Sequence, residues 1–429
     1  MEAFPPSSPE MNTTQHDLIM QRWTTVQYEL LPDLKVELGC LTPKLEKVIH
    51  VLEWVRIEEF VDSTWQGVGR PPHDRCALAS AFVAKAVLGL STTVALIERL
   101  TIDRALRRIC GFPLWKKLPD EATFSRACGE FAQSKLAERT HEALVKEYLG
   151  EELIGHISRD GTAIKGREKP TVKAVSDKTD DAASIPQSLM TEAEKPLRDK
   201  ADDEVPLQQP LIIEAKESVL DTSPLELLPS TPKKHKRGRP KKDEVREPKT
   251  TKIRQQLKQT LPQILADLPI TCDRGCKCNA QGYKVSWNGY KLHIDTADCG
   301  VPISALLTSA STHDSLTAVP LALITSSRVT NCYDLMDAAY CSEDIREHSH
   351  SLGHVPLIDH NPRKGEKKPF EPHEAERYKE RSQAERTNAR LKEEFGGDNI
   401  WVRGPAKVMS HLMFGLLALS ADQLMRLFT

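Results

Sequence analysis

The sequence predicts an α/β protein, a mixed sheet flanked by helices and preceded by an all-α segment. Two observations lead there. From about residue 46 to 148, apolar residues recur at helical spacing, with capping signals between the runs. From Leu153 onward, short apolar or alternating runs are interleaved with helical ones, the pattern of a sheet layered with helices. A third observation gives that order chemical meaning. Asp160, Asp337 and Glu385 lie far apart in the chain, yet each falls at a predicted strand end or on a predicted helix.

The helical segment comes first. Asp74 to Leu88 carries Leu78, Phe82, Val87 and Leu88 on one stripe, and Gly89 is placed to cap its end. Ser91 or Thr92 caps a second helix bearing Val94, Ile97, Leu100 and Ile102, and Gly111-Phe112-Pro113 breaks it. Asp120 caps a third, through Phe124, Ala127 and Phe131. Short helices with tight turns suit a DNA-binding module, and equally a plain bundle.

The sheet segment follows. Leu153 to Gly161 reads as a strand ending in a turn. Val285 and Trp287, then Asn288-Gly289, then Tyr290, Leu292 and Ile294 read as a hairpin around a two-residue turn. Val301 to Leu307, Val329 to Asp337 and Val355 to Ile358 are strands, and Leu316 to Ile324 is a helix. His313-Asp314 precedes that helix, with Asp314 as its N-cap. A charged helix from Pro372 to Phe395 and an apolar one from Val408 to Leu427 close the chain. Between Gly166 and about Lys249 lies a stretch too long and polar for an ordinary loop. Ile253, Leu257, Leu261, Leu265 and Leu268 then resume helical spacing, kinked at Pro262.

Bulk composition narrows the function classes. The chain has 429 residues, 39% hydrophobic and 28% charged, with a net charge of -2. No apolar run is read as long enough to span a bilayer, and the polar, proline-bearing start does not resemble a secretory signal. Ten scattered cysteines are expected to be reduced thiols in a cytoplasm. The net charge says little, because placement matters more. From Lys233 to Arg254, eleven Lys or Arg face three acidic residues. Within that run, Arg237-Gly238-Arg239-Pro240 resembles an AT-hook core, whose extended arginines suit a narrow A·T minor groove.

The acids suggest phosphoryl transfer. Three carboxylates can hold two divalent cations against a phosphate and still leave the site attractive to an anion. Tyr378, Arg381, Glu385 and Lys392 are spaced by three, four and seven residues, which puts them near one face of a helix. Arg381 and Lys392 would hold phosphates, and Tyr378 would hydrogen-bond one or pack on a sugar or base. Alone, that helix reads equally well as a solvated face stitched by ion pairs. Cys272, Cys276 and Cys278 lack the paired spacing of a zinc site, although His293 and Cys299 could complete four ligands; the expectation is no zinc. His360 to Lys364 reads as a turn.

These motifs together resemble an insertion-sequence DDE transposase of the large bacterial superfamily with a Tyr-Arg-Glu-Lys signature, IS4/IS5-like in grouping and IS1182-like within it. Asp160-Gly161-Thr162 is similar to that family's first catalytic block, and Met336-Asp337-Ala338-Ala339-Tyr340-Cys341-Ser342 to its second. Gly289-Tyr290-Lys291-Leu292-His293 resembles the strand between them. Gly69-Arg70-Pro71-Pro72 through Gly89-Leu90-Ser91, with Pro119 to Ser125, is similar to the helical domain that precedes the core.

The resemblance implies an RNase H-like core in which Asp160, Asp337 and Glu385 are catalytic and hold two Mg2+ ions, with Mn2+ as a possible substitute. Tyr378, Arg381, Lys392, Arg237 and Arg239 would contact DNA. The implied partners are double-stranded DNA, as transposon terminal inverted repeats and target, and a second copy of the chain on paired ends. The implied location is bacterial, cytoplasmic and nucleoid-associated. The expected organisation is a flexible tail over 1–45 and a helical DNA-binding domain over 46–148. A catalytic core then spans 149–165 plus 270–429, split by a charged insertion over 166–269. Two alternatives stand beside it: a domesticated, inactive DNA-binding descendant, and an RNase H-like nuclease without strand transfer.

Overall fold

A computed structural model describes residues 40–62, 73–171, 251–278, 281–362 and 366–428. The basic run with Arg237 and Arg239 therefore lies outside the described residues, as do Gly69 to Pro72.

The first helix, α1 (Pro43–Val55), begins inside the expected tail; Thr42 caps it and a proline occupies its first turn. The capping signals hold along the rest of the segment. Asp74 accepts from the amides of Cys76 and Ala77 and opens α2 (Arg75–Val87), and Gly89 follows it at φ 63°. Thr92 caps α3 (Thr93–Ile102) and Asp120 caps α5 (Glu121–Gln133). Between them Asp103 starts a short α4 (Arg104–Ile109), so the second helix breaks earlier than Gly111. Helix α6 (Leu136–Leu149) leads into the sheet.

The sheet has six strands: β1 (Leu153–Lys165), β2 (Asp273–Cys278), β3 (Lys284–Ala297), β4 (Pro302–Ser309), β5 (Thr330–Met336) and β6 (Val355–Ile358). β1 runs parallel to β5 and β5 parallel to β6. β3 is antiparallel to β1 on one side, and to β4 and β2 on the other pairings it makes. Four strands joined by antiparallel pairing (β1 to β4), continued by two that run parallel to β1 (β5 and β6), make the expected mixed α/β sheet. Two short helices, α7 (Lys252–Gln256) and α8 (Leu261–Asp267), replace the kinked helix: Pro262 sits in the first turn of the second, where its missing N–H costs nothing. α9 (Ala318–Ser326) and α10 (Glu343–Ser351) flank the later strands.

Two strand expectations need correction. β1 continues four residues past Gly161, so Asp160 stands within a strand and not at its end. Asn288-Gly289 is not a hairpin turn but the middle of β3, with Gly289 at φ 148°. A Cβ there would meet the Ile164 carbonyl oxygen at 2.2 Å and the Gly166 nitrogen at 2.4 Å. The glycine permits β1 to close against β3 at the point where, on the opposite edge of β3, β2 gives way to β4; local turn propensity yields to that crossing.

The charged helix is also interrupted. It consists of α11 (Pro372–Tyr378), a 3-10 turn over Lys379–Arg381, and α12 (Ser382–Glu393). The last helix, α13 (Pro405–Phe428), is 24 residues long and apolar enough to cross a membrane by length and composition, contrary to the reading of the sequence. In the fold it is the core helix instead: 83% of its most apolar window is buried. It packs on α1, α2, α5, α6, α12 and β4. Helices and sheet consequently share one apolar core, running from Trp54, Phe82 and Phe124 through Leu416 and Leu419 to Ile294 and Ile303.

Candidate active site

Asp160 and Asp337 meet because β1 and β5 run parallel. Their pairing ends at Arg159 opposite Met336, and the next residue on each strand is one of the two acids. Loops at the carboxyl ends of parallel strands are where α/β sheets place ligands. Asp337 is itself the N-cap of the 3-10 turn Ala338–Tyr340, accepting from the Ala339 amide at 2.9 Å.

The turn before α12 brings Arg381 between the acids. Its guanidinium donates to Asp160 at 3.3 Å and to Glu385 at 2.9 Å, and lies 4.0 Å from Asp337. Asn388 donates to the other oxygen of Asp160 at 2.9 Å. The three predicted acids are thus gathered around one cation. Among the described residues no three His, Cys, Asp or Glu side chains converge as a metal-holding group.

The electrostatics set Asp160 and Asp337 apart from ordinary carboxylates. Burial pushes Asp160 up to about 6; Arg381 opposes this and Asp337 reinforces it. Asp337 is raised too, chiefly by burial, against the Ala339 amide and Arg381. One guanidinium is too little positive charge for the acids around it. That deficit, with hard oxygen donors where β1 and β5 part, fits a divalent cation.

The remaining signature residues take unlike places. Tyr378 donates to the Met336 carbonyl at 3.1 Å and packs at a tilt on Phe370, ring centres 4.7 Å apart, so its hydroxyl holds the end of β5 beside Asp337. Burial raises it to about 12. Tyr378 and Arg381 precede α12, so the four residues do not share one uninterrupted helix. Lys392 lies in the last turn of α12, half-buried.

Several residues of the site escaped the sequence reading. Asn388 was detectable: Arg381, Glu385, Asn388 and Lys392 follow offsets of four, three and four, the true helical face. Asp314 is not the cap of its turn, because His313 takes that place. It instead receives Lys291 at 2.8 Å and lies 3.8 Å from His293. Burial lowers His293 to about 4, which keeps it neutral.

Beneath Asp160, Arg159 forms a two-pronged pair with Asp295 at 2.7 and 2.6 Å, both side chains being almost wholly buried. Burial disfavours the Arg159 charge, and the Asp295 carboxylate more than offsets that, so the guanidinium is held above its ordinary value. Thr325 donates to Asp295 at 2.6 Å and the Ala318 carbonyl accepts from Arg159 at 3.2 Å, so the pair is satisfied on both sides. It anchors the strand that carries Asp160, and no periodicity in the sequence marks it.

The cysteines stand apart from this site. Cys272 is buried against the Glu168 carbonyl, while Cys276 and Cys278 are exposed on β2. His293, suggested as a fourth ligand, is committed to Thr308 at 3.0 Å.

Two family models match the chain. One, described as a transposase DDE domain, matches residues 271–421, which include Asp337 and Glu385. The other, described as a transposase domain (DUF772), matches residues 36–129, within the helical segment. The pair has the IS1182-family architecture, and the broader IS4/IS5 grouping read from the sequence is slightly off. No curated protein and no solved structure matches.

Proposed function

We propose, for a chain that belongs to the DDE transposases of insertion sequences, that Asp160, Asp337 and Glu385 carry the cutting of transposon ends and the joining of the freed 3′ hydroxyl to target DNA. The single observation that supports this best is the juxtaposition of Asp160 and Asp337 at the parting of β1 and β5, with Arg381, Glu385 and Asn388 above them.

Asp160, Asp337 and Glu385 would hold a pair of Mg2+ ions, or Mn2+ in their place, which supply charge neutralisation and activation of the attacking oxygen. The protein's own groups position. Arg381, already held among three carboxylates, presents a guanidinium fork to a phosphate entering the site. Asn388 fixes the rotamer of Asp160. Tyr378 ties the strand end that bears Asp337 to the turn that bears Arg381. The Arg159–Asp295 pair keeps β1 rigid below. No covalent protein–DNA bond is needed, since positioning and charge compensation suffice for an in-line displacement.

The same reading has the DNA bound as terminal inverted repeats and target by two copies of the chain, in a bacterial cytoplasm at the nucleoid. The helical segment and the Arg237–Arg239 run would add grip. The test is Asp337→Asn in the full-length protein, with DNA carrying the element's own end. Binding should persist while metal-dependent cleavage falls at least a thousandfold, the scale of losing a metal ligand at a phosphoryl-transfer site, roughly 4 kcal/mol of barrier. Undiminished cleavage would remove Asp337 from the site. Nicking without joining would instead favour a nuclease.

A further inference from the structure

Helix α12 lies across β1 and β3, and the Asn388–Asp160 hydrogen bond fixes its register on β1. One turn further, roughly 6 Å along the axis, stands Lys392. β1 continues in the same stretch to Lys165, which pairs opposite Gly289 where β3 changes partner. From the far side of β3, β2 contributes Lys277, opposite Val285. Lys165 and Lys277 are exposed and Lys392 half-buried.

Lys165 and Lys277 each lie near enough to Lys392 to repel its ammonium group. Lys392 is depressed first by burial, then by Lys277 and by Lys165, with Asp398 and Asp160 opposing. Among the described residues, none of the three lysines has a carboxylate at ion-pair distance in the structure's salt bridges. Two residues beyond Lys165, the Arg167 guanidinium lies 5.0 Å from the centre of the half-exposed Trp401 ring, extending the cationic surface. Like charges gathered beside a substrate site cost stability in the free protein and are compensated when an anion arrives. Isolated solvated lysines would spread apart; these are brought together by three different elements.

We propose that Lys165 and Lys277 join Lys392 in a phosphate clamp that holds the DNA backbone beside the acidic site. They are positioning residues for the strand being cut. The clamp rests on the DNA-cleaving reading above and extends it to β2, an element without an acidic site residue.

The test compares the full-length protein with its Lys165→Gln/Lys277→Gln variant, binding a labelled random-sequence duplex over a range of NaCl concentrations. Each phosphate contact contributes about 0.9 to the slope of log affinity against log salt. The double variant should therefore lose nearly two from that slope with no fall in melting temperature, since two repelling charges have been removed. Lys165→Arg/Lys277→Arg should restore it. Equal slopes for the glutamine variant and the parent would overturn the clamp. Cleavage of the element's own end by the parent is measured in parallel. A parent that cleaves while the slopes stay equal refutes the clamp alone. A parent that neither binds nor cleaves DNA refutes the underlying reading, and the clamp with it.

Discussion

Around α13 the protein buries Leu412, Leu416, Leu417 and Leu419 completely and keeps His141 and His411 neutral, whereas around the ends of β1 and β5 it gathers Asp160, Asp337 and Glu385 against the single guanidinium of Arg381. The first region is apolar, and its two buried histidines are paired: His141 meets Ser420 at 3.1 Å, and His411 meets the Gly396 carbonyl at 3.1 Å. The second is polar, and its charges do not balance. The apolar packing and the candidate site are thus held in different parts of one body. The helices and α13 make a scaffold that tolerates crowded acids where two central strands part.

The largest effect should come from the apolar side. Leu416→Ala removes a fully buried side chain from the shared core and should destabilise by about 2–5 kcal/mol. Helices and sheet should still unfold together, because both pack on α13. Denaturant curves followed by far-UV dichroism and by tryptophan fluorescence should coincide. Two separated transitions would show that the two regions are independent after all.

Acid should drive the two regions in opposite directions in the metal-free protein. His141 and His411, lowered by burial to about 3, stay neutral when folded, while unfolded histidines take up protons below about 6.5. The helical side therefore loses stability as pH falls from about 6.5 toward 3. Asp160 has the reverse sign. Its folded value of about 6 exceeds the unfolded carboxylate value, so ionising it costs folding energy. That cost, on the order of 2–3 kcal/mol at neutral pH, is relieved as pH drops through 6 toward 4. Asp160→Asn should accordingly stabilise the metal-free protein at pH 7 and make little difference at pH 4. Urea midpoints at the two pH values check it, and a variant less stable at pH 7 would contradict the charge imbalance.

The smallest effect sharpens the border between the regions. Tyr378→Phe removes the hydrogen bond to the Met336 carbonyl and should cost about 1 kcal/mol. Because that hydroxyl is already committed, the salt dependence of DNA binding should not change. A slope reduced by about one would return Tyr378 to the role of phosphate ligand.

Much of this architecture was legible in the sequence where the signal is local. Thr92 and Asp120 cap the helices they were expected to cap, and Val355–Ile358 is a strand over the expected residues. Long-range geometry was not. Asn288-Gly289 carries a hairpin signal, yet the glycine serves a crossing with Ile164 and Gly166, more than a hundred positions earlier in the chain. Asp314 looked like a cap because nothing local shows Lys291 arriving from β3. The Arg159–Asp295 pair is invisible because both residues look like surface charges until β1 and β3 are aligned. For the candidate site, spacing alone brought forward Arg381, Glu385 and Lys392. It passed over Asn388, whose helical offset was available but whose partner Asp160 was not.

The position of α13 bears on how the protein is made. Helices α1, α2, α5 and α6 all lean on a segment that leaves the ribosome long after they do. During synthesis the apolar faces of those early helices wait, without their main partner, for some 250 residues to follow α6. A nascent chain in that state is a target for holding chaperones and for proteases, and a copy terminated before α13 leaves the early helices without their main partner.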